Sequence, residues 1–260
     1  MLKILKYTLF DLSRSRWTYL YFGFYLLLTG ALLFLSGNIS TVVISLLNVV
    51  LILCPLIATM FGAMYYYNSR EFIELLLAQP IRRRDLFWGQ YLGLAISLSF
   101  SLLLGIGIPF LLYGLSSSEF VGHFLTLMAN GVVLSFIFSG LAYLIALRND
   151  HKIRGFGLAI LTWLFFAVIY DGIFLLALML FREYPLESFS LGLSIFNPID
   201  LSRILVLLEL DISALMGYTG AVFQKFFGTG QGMLLASLVL MVWIVAPLWS
   251  IQRFANKKDF

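Results

Sequence analysis

Six stretches of this chain are long and apolar enough to cross a bilayer, and nothing else in the sequence constrains the fold as strongly. A helix rises about 1.5 Å per residue and the hydrocarbon layer is about 30 Å thick, so a span needs about 20 apolar residues. The stretches are Trp17–Gly37, Ile39–Met64 (interrupted by Pro55), Tyr91–Leu115, Phe120–Leu147, Gly155–Phe181 and Gln231–Ile251. Inside lipid a lone segment must satisfy its own backbone polar groups, which favours helices. The connections between spans one and two, and between spans three and four, are very short and predict tight antiparallel hairpins. Composition agrees. Of the 260 residues 61% are hydrophobic and 12% charged, whereas a soluble domain carries about 25% charged residues. The expected fold class is an all-α integral membrane protein with six transmembrane helices, forming a single transmembrane domain over residues 1–260.

The basic residues orient these spans. Lys3, Lys6, Arg14 and Arg16 precede span one, and Arg70, Arg82, Arg83 and Arg84 lie between spans two and three. Arg148, Lys152 and Arg154 separate spans four and five, and Arg253, Lys257 and Lys258 follow span six. Alternating spans put all of these on one side. The other side holds only Arg182, Arg203 and Lys225, against Glu119, Glu183, Glu187, Asp200, Glu209 and Asp211. Loops rich in Lys and Arg stay in the cytoplasm, so both termini are expected there. Trp17, Trp88 and Trp249 fall near the inner span ends, where amphipathic rings sit. The net charge of +4 is thereby accounted for by topology, and nucleic acid is not an expected partner. The opening segment MLKILKYTLFDLSRSR has charges scattered through it and no small-residue cleavage site, so it does not read as a removed signal peptide.

Three segments do not span. Residues 1–16 repeat Leu2, Leu5, Leu9 and Leu12 at helical spacing, with Lys3, Lys6, Arg14 and Arg16 on the polar side. This is the pattern of an amphipathic helix at the lipid interface. In residues 69–85, Ser69 reads as an N-cap, Glu71 falls in the first turn, and Phe72, Ile73, Leu75, Leu76 and Leu77 follow before Pro80 ends the run. A short helix along the inner face is expected, followed by an arginine loop that anchors span three. Its charged ends, Arg70, Glu71 and Glu74 at one and Arg82 to Asp85 at the other, stand free to meet a cytoplasmic partner. Residues 182–230 form a longer outer segment. Asn197 reads as an N-cap, Pro198 as the first helical residue and Asp200 as a first-turn acid, with Leu201, Ile204, Leu205 and Leu208 at helical spacing. One or two helices lying on the outer face are expected, with a break at Gly217 and Gly220 and a hinge at Gly228, Gly230 and Gly232. They make either a packed cap over the bundle or a docking or gating surface.

The chemistry-bearing residues are few. Cys54 is the single cysteine, which excludes an intramolecular disulfide and a multi-cysteine metal site. His123 and His151 are isolated, and no metal site is expected. No HExxH, GxSxG or CxxC pattern occurs, so a membrane-embedded enzyme is disfavoured. No glycine-rich loop ending in Gly-Lys-Ser/Thr occurs, so the chain is not expected to bind ATP by itself. Met60, Met64, Met128 and Met179 are soft thioethers that could touch Cu(I), but they share no spacing and methionine is common core filler. Asp171 is the one acid inside a span, about 24 Å along it by helical rise. A carboxylate at that depth faces a cavity or a partner. It either serves function or takes a structural hydrogen bond from a neighbouring tyrosine such as Tyr170. Asn130 and Asn48 are other possible neighbours.

Taken together, six spans, an amphipathic first helix and SREFIELLLAQPIRRRDLFWGQYLG at Ser69–Gly93 resemble the ABC-2 type family of ABC transporter permeases. That family carries an E…LL…P…R…GKYLG pattern, with Gln90 here where lysine is frequent. The resemblance implies that residues 69–85 hold a coupling helix seated in a groove of a separate ATPase, with Arg70, Glu71, Glu74, Gln79, Arg82, Arg83, Arg84 and Asp85 as the coupling residues. It implies ATP and Mg on that ATPase, with no cofactor on this chain. It also implies a homodimer of permeases, surrounded by membrane lipid, in the bacterial inner membrane. The segment NPIDLSRILVLLELDISALMGYTGAVFQKFFG at Asn197–Gly228 resembles one branch, which serves maturation of the copper–sulfur centre of nitrous oxide reductase. In that branch a periplasmic protein docks on the outer helices, which implies roles for Asn197, Asp200, Arg203, Glu209 and Asp211. The alternative within the same architecture is an exporter of a lipid, peptide or drug.

Overall fold

The computed structural model describes residues 1–36, 39–114, 121–180, 192–209 and 230–255. The described residues are helical almost throughout, and six helices are long and apolar enough to cross a membrane. In chain order the helices are α1 (Leu2–Ser13), α2 (Arg16–Ser36), α3 (Ile39–Asn68), α4 (Arg70–Leu77), α5 (Arg83–Leu112) and α6 (Val121–Arg148). Then follow α7 (Lys152–Leu164), a π-helical turn (Phe165–Ile169), α8 (Tyr170–Leu180), α9 (Pro198–Glu209) and α10 (Gly230–Ala255). Spans one to four are α2, α3, α5 and α6. Span five is α7, the π turn and α8 in series, and span six is α10.

The bundle is organised around α6, whose neighbours include α3, α5, α7, α9 and α10. In lipid, helices associate by close packing of small residues, because the surrounding chains are as apolar as leucine. The glycines show where this happens. A Cβ on Gly62 of α3 would meet Ala142 Cβ and the Ser139 carbonyl of α6 at 2.9 Å. One on Gly105 of α5 would lie 2.9 Å from Tyr25 Cβ and the Phe22 carbonyl of α2. Gly140 of α6 leaves room for Pro247 of α10 and for the ring of Tyr91. The buried layer is continuous from Tyr25 and Leu46 through Leu98, Leu102, Phe138 and Leu201.

Helix α1 forms where expected, but a different face makes the main contact. Its Ile4, Leu5, Thr8 and Leu12 turn toward α5, while Leu2 is 76% exposed. The reason lies in α5, which offers Gly89 and Gly93 one turn apart. A Cβ at Gly89 would sit 2.9 Å from Ile4 Cγ2, and one at Gly93 would sit 2.6 Å from Thr8 Cγ2. The small threonine fits a groove that leucine would overfill.

Span three begins earlier than the hydropathy pattern indicates. Arg82 is the N-cap of α5, and Arg83, Arg84 and Asp85 form its first turn, so the expected arginine loop shrinks to residues 78–82. Arginine is a good helix former. Arg84 also lies over the Trp88 ring at 4.6 Å, a stacking that keeps the guanidinium at the interface.

Span five departs most from expectation. It reads as one apolar run, yet it changes to π-helical hydrogen bonding at Phe165–Ile169 before resuming as α8. Such turns mark places where an inserted side chain competes for the backbone ladder. Here the Asn197 side-chain amide donates to the Phe166 carbonyl at 2.9 Å.

Candidate functional site

Among the described residues, two places gather charged side chains. One is the surface at the arginine-rich end of the bundle, around α4. The other is a buried network where α9 starts.

Helix α4 lies against the ends of α3 and α5. Ile73 is buried beneath it, and Phe72 stacks on Tyr7 of α1 with ring centroids 4.9 Å apart. The opposite ridge carries Glu71, Glu74, Leu75, Ala78 and Gln79, all exposed. Leu75 is 68% exposed. It belongs to the apolar run of residues 72–77, but its four-residue spacing from Glu71 puts it on the outward ridge. An exposed leucine sharing a ridge with two carboxylates, with Arg82 and Arg84 also exposed nearby in sequence, is what the apolar run hides; a helical wheel of residues 70–79 carries the signal. Ser69 stands at the N-cap position, but its hydroxyl donates back to the Tyr65 carbonyl at 2.7 Å instead of capping α4. Its backbone, at φ -93° and ψ 6°, lacks the extended conformation from which an N-cap side chain reaches forward.

Arg70 does not stand free at the surface. Its Nε bonds Glu74 Oε1 at 3.0 Å, one turn on. Its Nη1 donates to the Asp150 carbonyl at 3.2 Å, and Nη2 lies 3.7 Å from Asp150 Oδ1. The Glu74 bond, with the nearby Asp150 charge, raises the Arg70 pKa above its ordinary value, against a smaller desolvation effect. The same corner is closed by Lys152 Nζ donating to Asn68 Oδ1 at 3.1 Å and Tyr67 Oη donating to the Asn149 carbonyl at 2.8 Å. At α5, the N-terminal ammonium of Met1 lies 3.6 Å from Asp85 Oδ2. Gln90 is buried and accepts a 2.6 Å bond from the Tyr143 hydroxyl. A neutral amide suits that interior position, where a lysine would bring a charge.

The second place corrects the outer-face expectation. Helix α9 does not lie on a surface. It is packed among α6, α10, α3 and the π turn, and Ile199, Leu201, Ile204, Val206, Leu207 and Leu208 are all buried. The segment before it is anchored halfway along two spans. Asn197 reaches Phe166 near the middle of span five, and Trp243 near the middle of α10 donates to the Ile195 carbonyl at 3.1 Å. From there α9 runs beside the first half of α6, with Leu205 lining a cavity shared with Asn130, Val133 and Met233. Its 12 residues rise about 18 Å, so it is a half-span helix that enters the bundle from the end opposite α4. Irregular backbone at that depth is tolerated only where its polar groups are satisfied. The turn meets this condition: the Leu193 carbonyl accepts from Tyr170 Oη at 2.6 Å and from the Phe196 amide at 3.0 Å.

The charged residues expected to face a partner point inward. Asn197 is fully buried; its Oδ1 accepts from the Ile199 amide at 3.1 Å, as an N-cap should, and its Nδ2 also donates to Asp200 Oδ2 at 2.8 Å. Arg203 Nη1 bridges Asp200 Oδ1 at 3.0 Å and Asp171 Oδ2 at 3.1 Å. Asp171 therefore pairs with Arg203 rather than with a tyrosine. Asn130 donates to the Thr126 carbonyl of its own helix, and Asn48 is exposed on α3. The physical reason is cost: an acid within a span is expensive unless a cation meets it. The side chain of Glu209, and Asp211 with the Gly217, Gly220 and Gly228 breaks, lie outside the described residues.

Among the described residues no group of three His, Cys, Asp or Glu is placed to hold a metal ion. The four methionines do not converge. Met60 and Met64 line an apolar groove of about 290 Å³ beside α2, Met128 is buried, and Met179 is exposed on α8. Cys54 is buried, with its thiol 3.1 Å from Ser135 Oγ.

With this geometry in hand, the comparisons with known proteins fall into place. A family profile described as "ABC-2 family transporter protein" matches residues 38–258. A relative from Pseudomonas aeruginosa, "Probable ABC transporter permease protein NosY", is 28% identical over 187 residues, 69% of this chain and 68% of the relative. A protein of the same name from Stutzerimonas stutzeri is 26% identical over 226 residues, 82% of this chain and 76% of the relative. A multi-pass helical bundle, a surface helix at the arginine-rich end and a profile covering residues 38–258 agree: this chain belongs to the ABC-2 family of transporter proteins.

Proposed function

We propose that this chain is the membrane subunit of an ABC complex whose ATPase is a separate, NosF-like polypeptide seated on α4. The observation that carries this reading is the exposed ridge of α4. Leu75 stands outward on the ridge that also carries Glu71, one turn before it, and Glu74, on a helix whose Ile73 is buried against the bundle. An apolar side chain ringed by charge suits the rim-and-core chemistry of a protein interface. Arg82 and Arg84 extend that surface, and Arg83 and Asp85 belong to its α5 edge. Fourteen of the seventeen basic residues sit in segments that topology groups at the same end, which supports a cytoplasmic α4 and cytoplasmic termini in the bacterial inner membrane. No nucleotide-binding loop is present in the sequence, so ATP and Mg belong to the ATPase.

By likeness to the NosY relatives, the complex contains two copies of this chain, two ATPases and a periplasmic NosD-like protein. Its work is assembly of the copper–sulfur centre of nitrous oxide reductase. Asn197, Asp200 and Arg203 then support the docking region from inside, by fixing α9, while Glu209 and Asp211 follow at its far end. ATP binding displaces α4 as a rigid lever, and the bundle carries that displacement to the periplasmic end. Export of a lipid, peptide or drug is the second reading; the apolar groove between Trp17, Phe24, Met60 and Phe156 favours it.

The test is co-purification. Glu74→Lys with Arg82→Glu reverses the charge on both sides of Leu75, and the ATPase should be lost from pull-downs of the variant. Undiminished co-purification would reject the seat. Stimulation of ATPase activity by amphiphiles, rather than by a periplasmic protein, would favour the export reading.

A further inference from the structure

Resting on the reading of α4 as the ATPase seat, we propose that span five carries the displacement of α4 to α9, and that Arg70 and Arg203 are the positioning residues at its two ends. Covalent connection alone suggests another route. Helix α4 leads directly into α5, so α5 is the default carrier. The polar contacts point elsewhere.

At the arginine-rich end, the start of α4 is fastened to the start of span five. Arg70 holds both the carbonyl and the carboxylate of Asp150, two residues before α7 begins. Lys152, the first residue of α7, returns a bond to Asn68 at the end of α3. Tyr67 donates to Asn149, and Gly155 has no Cβ where the Tyr67 hydroxyl lies. These contacts join three elements at one corner. The three hydrogen bonds among them are directional, so the corner resists pulling as well as pushing. The contacts of α4 with α5 differ in kind. Residues 78–82 connect the two helices through a turn at Pro80, with Ile81 N donating to Gln79 O at 2.7 Å.

At half depth, span five is fastened to α9 in the same manner. Tyr170 Oη holds Leu193, Asn197 holds the Phe166 carbonyl, and Arg203 holds Asp171. These three anchors on span five fall at residues 166, 170 and 171, at and just beyond the π turn. Between the two corners runs α7, 13 residues or about 20 Å of unbroken helix. Its neighbours α3 and α6 contact it, while Leu158 and Leu161 are exposed. A stiff rod with a grip at each end transmits displacement. The π turn, the one place where its ladder changes register, is where span five meets α9.

The experiment uses the full complex with its cognate ATPase. Spin labels at Leu112→Cys and Leu180→Cys report the distance between the far ends of spans three and five. Both positions are more than three-quarters exposed, at 84% and 78%, and Cys54 is 0% exposed. The distance is measured with ADP and with a non-hydrolysable ATP analogue. The parent should show a nucleotide-dependent change. Arg203→Ala should abolish it, and Asp150→Ala, which removes the carboxylate but leaves the carbonyl bond from Arg70, should cut it by more than half, both with the ATPase still bound; Arg203→Lys and Tyr67→Phe should retain at least half. Those conservative variants keep the test valid if an alanine variant fails to fold. A residue that only stabilises the fold would lower Tm and leave the change intact. An undiminished change in both alanine variants overturns the proposal and assigns the stroke to α5. Failure of the ATPase to co-purify with the unmutated chain overturns the seat on α4 and this proposal together, so the two failures are told apart.

Discussion

The seam between α1 and α5 gives a prediction whose size can be worked from distances. A Cβ at Gly93 would sit 2.6 Å from Thr8 Cγ2 and 2.7 Å from Thr8 Cβ. Ordinary carbon contacts lie at about 3.5–4.0 Å. The Gly93→Ala change therefore moves α1 away by about 1 Å, since the Thr8 Cβ is fixed to its backbone. Overpacking of this kind costs about 1–3 kcal/mol. Helix α5 is helical whether or not α1 is docked, so helix propensity does not offset this, and the lower end, about 1 kcal/mol, is already a factor of about 5 in docking of α1. Gly89→Ala meets the Leu5 amide nitrogen at 3.2 Å, so the double variant should approach about 2 kcal/mol, a factor of about 30. The assay is the maleimide labelling rate of Leu12→Cys in detergent, because Leu12 is 5% exposed while α1 is docked. Gly23→Ala is the control, since nothing lies within 4 Å of its added carbon. Equal labelling rates for the double variant and the control would refute the packing argument.

Three further outcomes are expected. Asn197→Asp should destabilise the detergent-solubilised protein more than Asn197→Ala, because it sets a third carboxylate beside Asp200 and loses the bond to Phe166; the alanine should cost about 2 kcal/mol from the lost cap. Thermal unfolding reads both, and tolerance of the aspartate would contradict the network. Cys54 should resist maleimide in the native protein and react after unfolding, since its thiol is buried against Ser135; rapid native labelling would show that the α3–α6 seam opens. Gly155→Ala should clash with the Tyr67 hydroxyl and lower Tm, and Tyr67→Phe should recover part of the loss. No recovery would mean that the corner is packed differently.

Much of the architecture was legible in residue order. Hydropathy places six spans because lipid leaves the backbone no other economical arrangement, and Pro80 marks the end of the surface helix. The misreadings share a cause. Apolar periodicity tells which residues avoid water, not whether lipid or protein covers them. Leu201, Ile204, Leu205 and Leu208 looked like one stripe of a surface helix, yet Val206 and Leu207 complete a helix that is apolar nearly all round, the mark of burial. Leu75 belongs to the apolar run of the short helix, yet it stands outward. The ion network was hidden for another reason. Asp171 and Arg203 are 32 residues apart, and only the half-depth turn of the chain brings them together. Likewise Arg70 and Asp150 meet through the α3–α4 corner, which no local pattern encodes.

The central claim is that α4 is where a separate motor engages this bundle. A photo-crosslinking amino acid at Gln79, exposed just past the end of α4, tests it in living cells alongside the same probe at Tyr113, exposed at the opposite end of α5. If the motor sits on α4, position 79 gives an adduct with an ABC ATPase and position 113 gives none. An ATPase adduct from Tyr113, or none from Gln79 in cells that make both proteins, would contradict it.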